Sequence, residues 1–187
     1  MPTRLVTMLG LGNPKKPETL GYDPVVYEIE GRRAARTPLV MKAITECLAP
    51  VDAVVVLGTQ EVQAQRVDTG DLGRALGRPF QFVCIPKGEN EAERWELFRH
   101  IQAALAREPL EAAGEAAAPT EILFDVTHGF RTQPLFAMAV LSFTQAAWVR
   151  DRVAEAPTLR VLYGAYDPNN KPAEGGAAPI WDLTQQL

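Results

Sequence analysis

Residues 121–134, EILFDVTHGFRTQP, run from an apolar segment through a polar cluster into a predicted helix. The first six of these residues are typical of a buried strand, because a short apolar run ends at polar side chains. Residues 135–148 are apolar almost all round, which predicts a helix that is buried in the fold or at an interface. A strand that leads through a short polar loop into a helix is the building unit of an α/β fold.

The same unit recurs along the chain. Helical patterns separate the apolar runs; one begins with Thr37 as N-cap and Pro38 at the first helical position. This alternation predicts a single α/β domain with a mostly parallel sheet and helices on both faces. Residues 61–78 are ambiguous, because DTGDLG interrupts a helical pattern, and residues 110–119, LEAAGEAAAP, are predicted as a surface connector. The predicted strands are residues 4–9, 52–57, 80–85, 121–126 and 159–163, with further short ones at 25–29 and 180–183, and the other predicted helices are residues 38–48 and 89–107.

Composition limits the possible partners. The chain has 187 residues, 47% hydrophobic and 22% charged, which is ordinary for one globular domain. A net charge of -4 argues against a long nucleic acid as ligand, since neutralising many phosphates needs a large basic surface. Cys47 and Cys84 are predicted as small hydrophobic residues in a reducing compartment, with no metal-binding spacing. Because no secretory or membrane-spanning segment is visible, we expect a cytoplasmic protein without membrane contact.

The polar cluster at residues 125–131 lies where a ligand is expected. In parallel α/β sheets, ligands bind beyond the carboxyl ends of the strands, where backbone N–H groups face the crevice. Gly129 permits a tight turn, Arg131 offers a planar fork that matches a phosphate, and Thr127 and His128 add donors or acceptors. The cluster therefore predicts a phosphate-bearing ligand.

Glycines also follow the other predicted strands. Turn chemistry alone explains many such glycines, so each loop is a candidate contact and nothing more. The candidates are Gly10, Leu11, Gly12 and Asn13 after the first strand, Gly58, Thr59 and Gln60 after the second, and Gly164 after the late strand.

A dinucleotide-dependent oxidoreductase is one alternative, because Gly10-Leu11-Gly12 follows a strand. The fingerprint fails at its third glycine, where Lys15 stands, and Pro14 and Pro17 oppose an immediate helix. A second alternative, a dimerisation scaffold without ligand, leaves the polar cluster at residues 125–131 unexplained.

Residues 125–129, DVTHG, match the D-x-T-H-G signature of CRISPR-associated Rossmann-fold (CARF) sensor proteins, and the match continues through Phe130 and Arg131 to Pro134. The chain also resembles this family at residues 37–38, 57–59, 163–165 and 182–184, so the resemblance covers nearly the whole sequence. It implies a Rossmann-like fold.

The resemblance also implies a ligand, cyclic oligoadenylate, the second messenger of type III CRISPR defence, with cyclic tetra-adenylate favoured and no further cofactor. It would lie in a cleft across the axis of a two-fold homodimer, where each subunit presents the same contacts. We call residues 125–131 the signature loop. By the resemblance, the ring contacts are Thr127, His128, Gly129 and Arg131 in this loop, together with Gly10, Leu11, Gly12 and Asn13. The predicted ligand-binding set is completed by Phe130, Gly58, Thr59, Gln60 and Gly164.

Relatives usually carry an effector after the sensor domain, whereas this sequence stops at Leu187, so we expect a removed effector domain or a separate effector protein. Some relatives cleave the ring, and a slow ring nuclease remains an open alternative. No acid and base pair can be assigned, because an extended strand would point Asp125 and Thr127 to one face and Val126 and His128 to the other.

Overall fold

The computed structural model describes residues 1–48, 50–130, 132–173 and 175–186. These residues form one α/β domain around an eight-stranded sheet with the strand order β3-β2-β8-β7-β6-β1-β4-β5. The strands are β1 (Thr3–Leu9), β2 (Tyr27–Ile29), β3 (Arg32–Arg33), β4 (Ala53–Gly58), β5 (Gln81–Cys84), β6 (Glu121–His128), β7 (Thr158–Gly164) and β8 (Ala178–Asp182). The helices are α1 (Val40–Cys47), α2 (Gln60–Val62), α3 (Asp71–Leu76), α4 (Glu91–Ala104) and α5 (Gln133–Arg150).

The sheet is mostly parallel, as predicted, with two antiparallel pairs, β7 with β8 and β2 with β3. After β1 the chain first forms β2 and β3 at one edge of the sheet. It then forms β4 and β5 on one side of β1, and β6 and β7 on the other side. The strand order therefore reverses between β1 and β6. Such a switch point leaves a crevice at the carboxyl ends of the two strands, because the loops that follow them diverge.

Alternate side chains of the central strands point to two separate cores. Leu5 and Leu9 of β1 face α1, whereas Val6 and Met8 face α4 and α5 on the opposite side. All four side chains are buried. Helices thus cover both faces of the sheet, as the alternation of strands and helices predicts.

The helix boundaries differ from the predicted ones. Thr37 does not cap α1, which begins at Val40 with Leu39 as N-cap and no side-chain cap bond. Thr37 instead accepts a hydrogen bond from the N–H of Leu39 through its hydroxyl, and its backbone pairs with Val25 in an isolated bridge. Thr37 and Pro38 therefore belong to an extended segment that precedes the helix, since a residue before proline favours the β region.

The ambiguous region is partly helical. Beyond α2, residues Gln63–Val67 form a π-helical turn before α3 begins at Asp71. The predicted long helices are present with shifted ends, as α4 is shorter and α5 longer than their patterns indicated. Among the described helices, none combines the length and the apolar character needed to cross a bilayer.

A buried ion pair closes the end of the sheet that lies opposite the crevice. Arg4 of β1 is fully buried and binds the carboxylate of Glu115 through two of its nitrogens. The same guanidinium donates to the carbonyls of Ala104, Ala106 and Glu108, which follow or end α4. Residues 110–119 are therefore not a simple surface connector, because Glu115 within them is buried and anchors the central strand.

Candidate functional site

The loops that follow β1 and β6 meet at the switch point. The N–H of Gly10 donates to the carbonyl of His128 over 2.6 Å, and the hydroxyl of Tyr22 donates to the carbonyl of Gly10 over 3.0 Å. Beside these contacts lies a cavity of about 430 Å³, which we call the cleft. It is lined by Gly10, Leu11, Gly12, Tyr22, Thr59, Glu61, Lys87, Thr127, His128, Gly129 and Phe130.

Most of the predicted ligand residues share this cleft. Those that line it are Gly10, Leu11, Gly12, Thr59, Thr127, His128, Gly129 and Phe130. Four others do not line it: Asn13, Gly58, Gln60 and Gly164. Arg131, the predicted phosphate contact, lies outside the residues that the structure describes.

The four predicted residues outside the cleft have other surroundings. Asn13 is exposed, and its side-chain oxygen accepts a hydrogen bond from the N–H of Lys15. Gln60 lines a smaller cavity of about 280 Å³ that shares three residues with the cleft. Gly58 and Gly164 are buried at the ends of β4 and β7, so these two glycines allow close packing of neighbouring side chains.

Asp125 is the buried anchor of the signature loop. Its side chain is fully buried in β6 and accepts hydrogen bonds from the hydroxyl of Thr7 at 2.8 Å and from the N–H and hydroxyl of Thr127 at 2.9 and 2.5 Å. Burial raises the pKa of this carboxyl, and the three hydrogen bonds act in the opposite direction. Both carboxylate oxygens are thus engaged within the fold.

The Thr127 hydroxyl links two strand ends. It donates to Asp125 and accepts a hydrogen bond from the N–H of Gly164 at 2.8 Å. Gly164 ends β7, so this pair of hydrogen bonds fastens the signature loop to the neighbouring strand. Thr127 and Gly164, both predicted as ligand contacts, therefore have clear positioning roles in the structure.

A bulge in β6 changes the direction of His128. Thr7 of β1 pairs with Asp125, but Leu9 pairs with His128, so β6 contains one extra residue over this interval. A shift of one residue turns a side chain to the other face of the sheet. The expectation from simple alternation was therefore wrong, and His128 lies on the same face as Leu9, towards α1.

His128 is held between α1 and the loop after β1. Its Nε2 accepts a hydrogen bond from the N–H of Val40, over 3.4 Å, and its ring packs against that of Tyr22 with the centroids 3.9 Å apart and the planes tilted by 37°. Burial lowers the pKa of His128 to about 4, against a smaller opposing effect of a hydrogen bond with the backbone of Pro38. The imidazole is therefore neutral at pH 7 and forms part of the wall of the cleft.

This burial predicts a loss of stability in acid. The His128 pKa falls from 6.5 to about 4 on folding. The unfolded chain therefore binds the extra proton between these values, and stability is lost as the pH falls from 6.5 towards 4. We expect the shifted pKa of His128 to lower the free energy of unfolding by roughly 2 kcal/mol as the pH falls from about 7.5 to about 5.

Urea unfolding of the wild type and of His128→Gln at both pH values measures this contribution, since the difference between the two chains cancels the effect of Asp125. The matched control is His100→Gln on α4, which should lose as much stability between the two pH values as the wild type does. An equal pH dependence for His128→Gln and the wild type would show that His128 is not held in its neutral form.

Close backbone contact shapes the loop after β1. Gly12 has a φ of +67°, and a Cβ placed on it would lie 2.7 Å from the carbonyl oxygen of Gly21. The N–H of Asn13 also donates to that carbonyl over 2.8 Å. Any side chain at residue 12 would push the two segments apart, because non-bonded atoms do not approach so closely.

A second close contact shapes the signature loop. A Cβ on Gly129 would lie 2.7 Å from the ring of Pro134, near the start of α5. Gln133, which is buried, accepts a hydrogen bond from the N–H of Phe130 and donates to the carbonyl of Pro86. The loop is therefore fixed both to α5 and to the segment that follows β5.

Three residues of the cleft were not predicted: Tyr22, Glu61 and Lys87. Lys87 directly follows the predicted strand 80–85 and its proline, so the strand-exit rule could have identified it. Tyr22 had no local signal, since it belongs to a connecting loop that folds back over the end of β1. Glu61 lay within the region whose pattern was ambiguous.

Glu61 and Lys87 form an ion pair at the wall of the cleft, with 2.6 Å between Nζ and Oε1. Hydrogen bonding to Lys87 is the main reason that the pKa of Glu61 falls to about 2. Both side chains remain about two-fifths exposed, so the pair contributes little to stability.

Across the part of the chain that the structure describes, no group of three or more His, Cys, Asp or Glu residues could hold a metal ion.

Comparison with known proteins identifies the family. No curated protein matches the sequence. The family model described as "CRISPR system endoribonuclease Csx1, CARF domain" matches residues 6–168, which include the switch point and every residue of the cleft. The chain therefore belongs to the family of Csx1-type CARF domains.

Proposed function

We propose that this domain binds a cyclic oligoadenylate, most specifically cyclic tetra-adenylate, and thereby controls an effector such as an endoribonuclease in type III CRISPR defence. The observation that carries the proposal is the cleft at the switch point, which joins the signature loop to the loop after β1 in a chain of the Csx1-type CARF family. The proposal assigns the ring contacts to the residues of the cleft, with Arg131 kept from the sequence as a phosphate contact.

The chemistry of the cleft suits a nucleotide. Glycine backbone at residues 10, 12 and 129 allows a ligand to approach main-chain atoms closely. Tyr22 and Phe130 offer aromatic surface for a base, and Lys87 offers a cation at the wall. The volume of about 430 Å³ falls in the lower range of small-molecule sites, which suits one part of a larger ring.

The contacts of the two titratable residues in the signature loop favour binding over chemistry. Asp125 has both oxygens occupied by Thr7 and Thr127, and Nε2 of His128 accepts from the backbone of Val40. A general base needs a free acceptor within reach of the proton that it removes. We therefore propose a receptor that cleaves its ring slowly or not at all.

The outer face of α5 supports the proposed homodimer. Its exposed apolar residues recur every three or four positions and include large side chains that are 53% to 75% exposed. They are Leu135, Ala139, Phe143, Ala146 and Val149, which we call the α5 stripe; the exposed Arg150 follows at the end of the helix. An uninterrupted apolar stripe of this kind is typical of a helix that packs against a partner. Since α5 follows the signature loop directly, a dimer along the stripe would bring two clefts towards one axis.

Phe143→Asp is expected to convert the dimer into a monomer, because a charge would be buried at the centre of the α5 stripe. Light scattering at micromolar concentration measures the mass of each chain. The matched control is Trp181→Asp, since Trp181 on β8 is an aromatic residue with the same 53% exposure outside the stripe. A dimer that survives Phe143→Asp, or a wild type that is monomeric with and without the ring, would contradict the proposed interface.

The ligand itself is tested by retention of radiolabelled compounds on the purified protein. Cyclic tetra-adenylate, cyclic hexa-adenylate and NAD are incubated separately, and the products are separated by chromatography after an hour. We expect retention of cyclic tetra-adenylate in intact form. Retention of NAD alone would favour the oxidoreductase alternative, and near-complete conversion to linear adenylates would identify a ring nuclease.

A further inference from the structure

Arg66 is a buried cation behind the cleft. It lies in the π-helical turn Gln63–Val67, which follows the exit of β4, and only 6% of its surface is exposed. One Nη donates to the carbonyl of Leu11 over 3.1 Å, and Nε is buried without a hydrogen-bond partner. Turns of π-helix inside helical segments are frequent at functional sites.

This guanidinium has no counter-ion among the residues that the structure describes. The fully buried Arg4, in contrast, is paired with Glu115, and Lys87 at the cleft wall is paired with Glu61. Burying an uncompensated charge is costly. Because no described residue compensates the charge of Arg66, an anionic ligand in the cleft would serve as its counter-ion.

The charge of Arg66 lies close to the cleft. Leu11, its hydrogen-bond partner among the described residues, lines the cleft, as does Tyr22. Burial raises the pKa of Tyr22, and the charge of Arg66 acts in the opposite direction, so its field reaches the cleft wall. Two unit charges several ångströms apart interact appreciably when water is largely excluded between them.

We propose that Arg66 is a positioning residue with two effects: it holds the loop of Leu11 in place through the carbonyl, and it supplies fixed positive charge that favours a phosphodiester ligand. This inference rests on the proposed function, since it concerns the same cleft. In this role, the guanidinium of Arg66 is a permanent counter-charge for the phosphates of the ligand.

Two variants test the role of the charge. Arg66→Lys keeps a cation that can approach the Leu11 carbonyl, whereas Arg66→Gln removes the charge and also the hydrogen bond, because its amide nitrogen lies two bonds closer to the main chain than the Nη that donates to Leu11. Calorimetric titration with cyclic tetra-adenylate should give an affinity within about threefold of the wild type for Arg66→Lys and about tenfold or more below it for Arg66→Gln. Equal affinities of the two variants would overturn the role of the charge.

Thermal unfolding supplies an independent readout. Because Arg66→Gln removes an uncompensated buried charge, it should melt at or above the temperature of Arg66→Lys while binding more weakly. A melting temperature for Arg66→Gln clearly below that of Arg66→Lys would overturn the role of the charge, since the protein itself would then be compensating it.

Arg78 provides a matched control. It too donates one hydrogen bond to a backbone carbonyl, that of Val51, and its Nε is also buried without a partner. Val51 precedes β4, however, so this arginine lies at the opposite end of the strand from the cleft. Arg78→Gln should leave ligand affinity unchanged. A wild type that binds no ring would refute the proposed function, whereas ring binding that is insensitive to Arg66→Gln would refute this inference alone.

Discussion

Arg4→Met is expected to lower the free energy of unfolding by roughly 3–5 kcal/mol, a large part of the stability of a domain of this size. Arg4 is fully buried and satisfies Glu115 together with three carbonyls at the end of α4. Its loss would leave the buried Glu115 carboxylate without its counter-ion, with only the N–H of Leu110 still donating to it, and would leave the three carbonyls without their donor. Urea unfolding followed by circular dichroism measures the change.

The double variant Arg4→Met/Glu115→Leu should recover part of this loss, because no uncompensated charge remains, although the carbonyls of Ala104, Ala106 and Glu108 stay unpaired. Arg160→Met is the control. Arg160 also contacts several carboxylates, but its side chain is 21% exposed and the carboxylates are more exposed still, so a change of about 1 kcal/mol or less is expected. Equal effects of Arg4→Met and Arg160→Met would contradict a special role for the buried pair.

Gly12→Val is expected to weaken the binding of cyclic tetra-adenylate by roughly 100-fold or more. The new Cβ would overlap the backbone of Gly21 at a position whose φ is +67°, so the loop after β1 would have to move from its place in the cleft. Calorimetry measures the affinity, and circular dichroism should show an intact sheet, because the strands themselves are unchanged.

Gly31→Val separates the clash from the backbone strain. Gly31 has a similar φ of +75°, but nothing lies within 4 Å of a Cβ placed there, and the residue occupies the turn between β2 and β3. This variant should lose some stability and keep its ligand affinity. Normal ring binding by a folded Gly12→Val protein would remove the loop after β1 from the proposed site.

Much of the fold could be predicted from the sequence, because it depends on local patterns. Short apolar runs predicted the central strands, and helical spacing predicted α4 and α5. The alternation of these elements was enough to predict a mostly parallel sheet with covered faces, which the structure confirms. The strand-exit rule placed the signature loop and the loop after β1 at one edge, where they do meet.

The remaining features depend on contacts between distant parts of the chain. The bulge that turns His128 towards α1 arises from pairing with β1, and the sequence of β6 alone does not predict it. Tyr22 reaches the cleft because its loop folds back, and Glu115 is buried beside Arg4, which is distant from it in sequence. The π-helical turn that carries Arg66 interrupts an α-helical pattern, so periodicity could not place that side chain.

We propose that two chains share one cyclic oligoadenylate at the cleft. Isothermal titration of the purified protein with cyclic tetra-adenylate, with light scattering on the same samples, measures affinity, stoichiometry and mass together. We predict saturation at one ring per two chains, with the mass of a dimer and no comparable binding of NAD. Saturation at one ring per chain on a monomer, or the absence of ring binding by a folded protein, would contradict it.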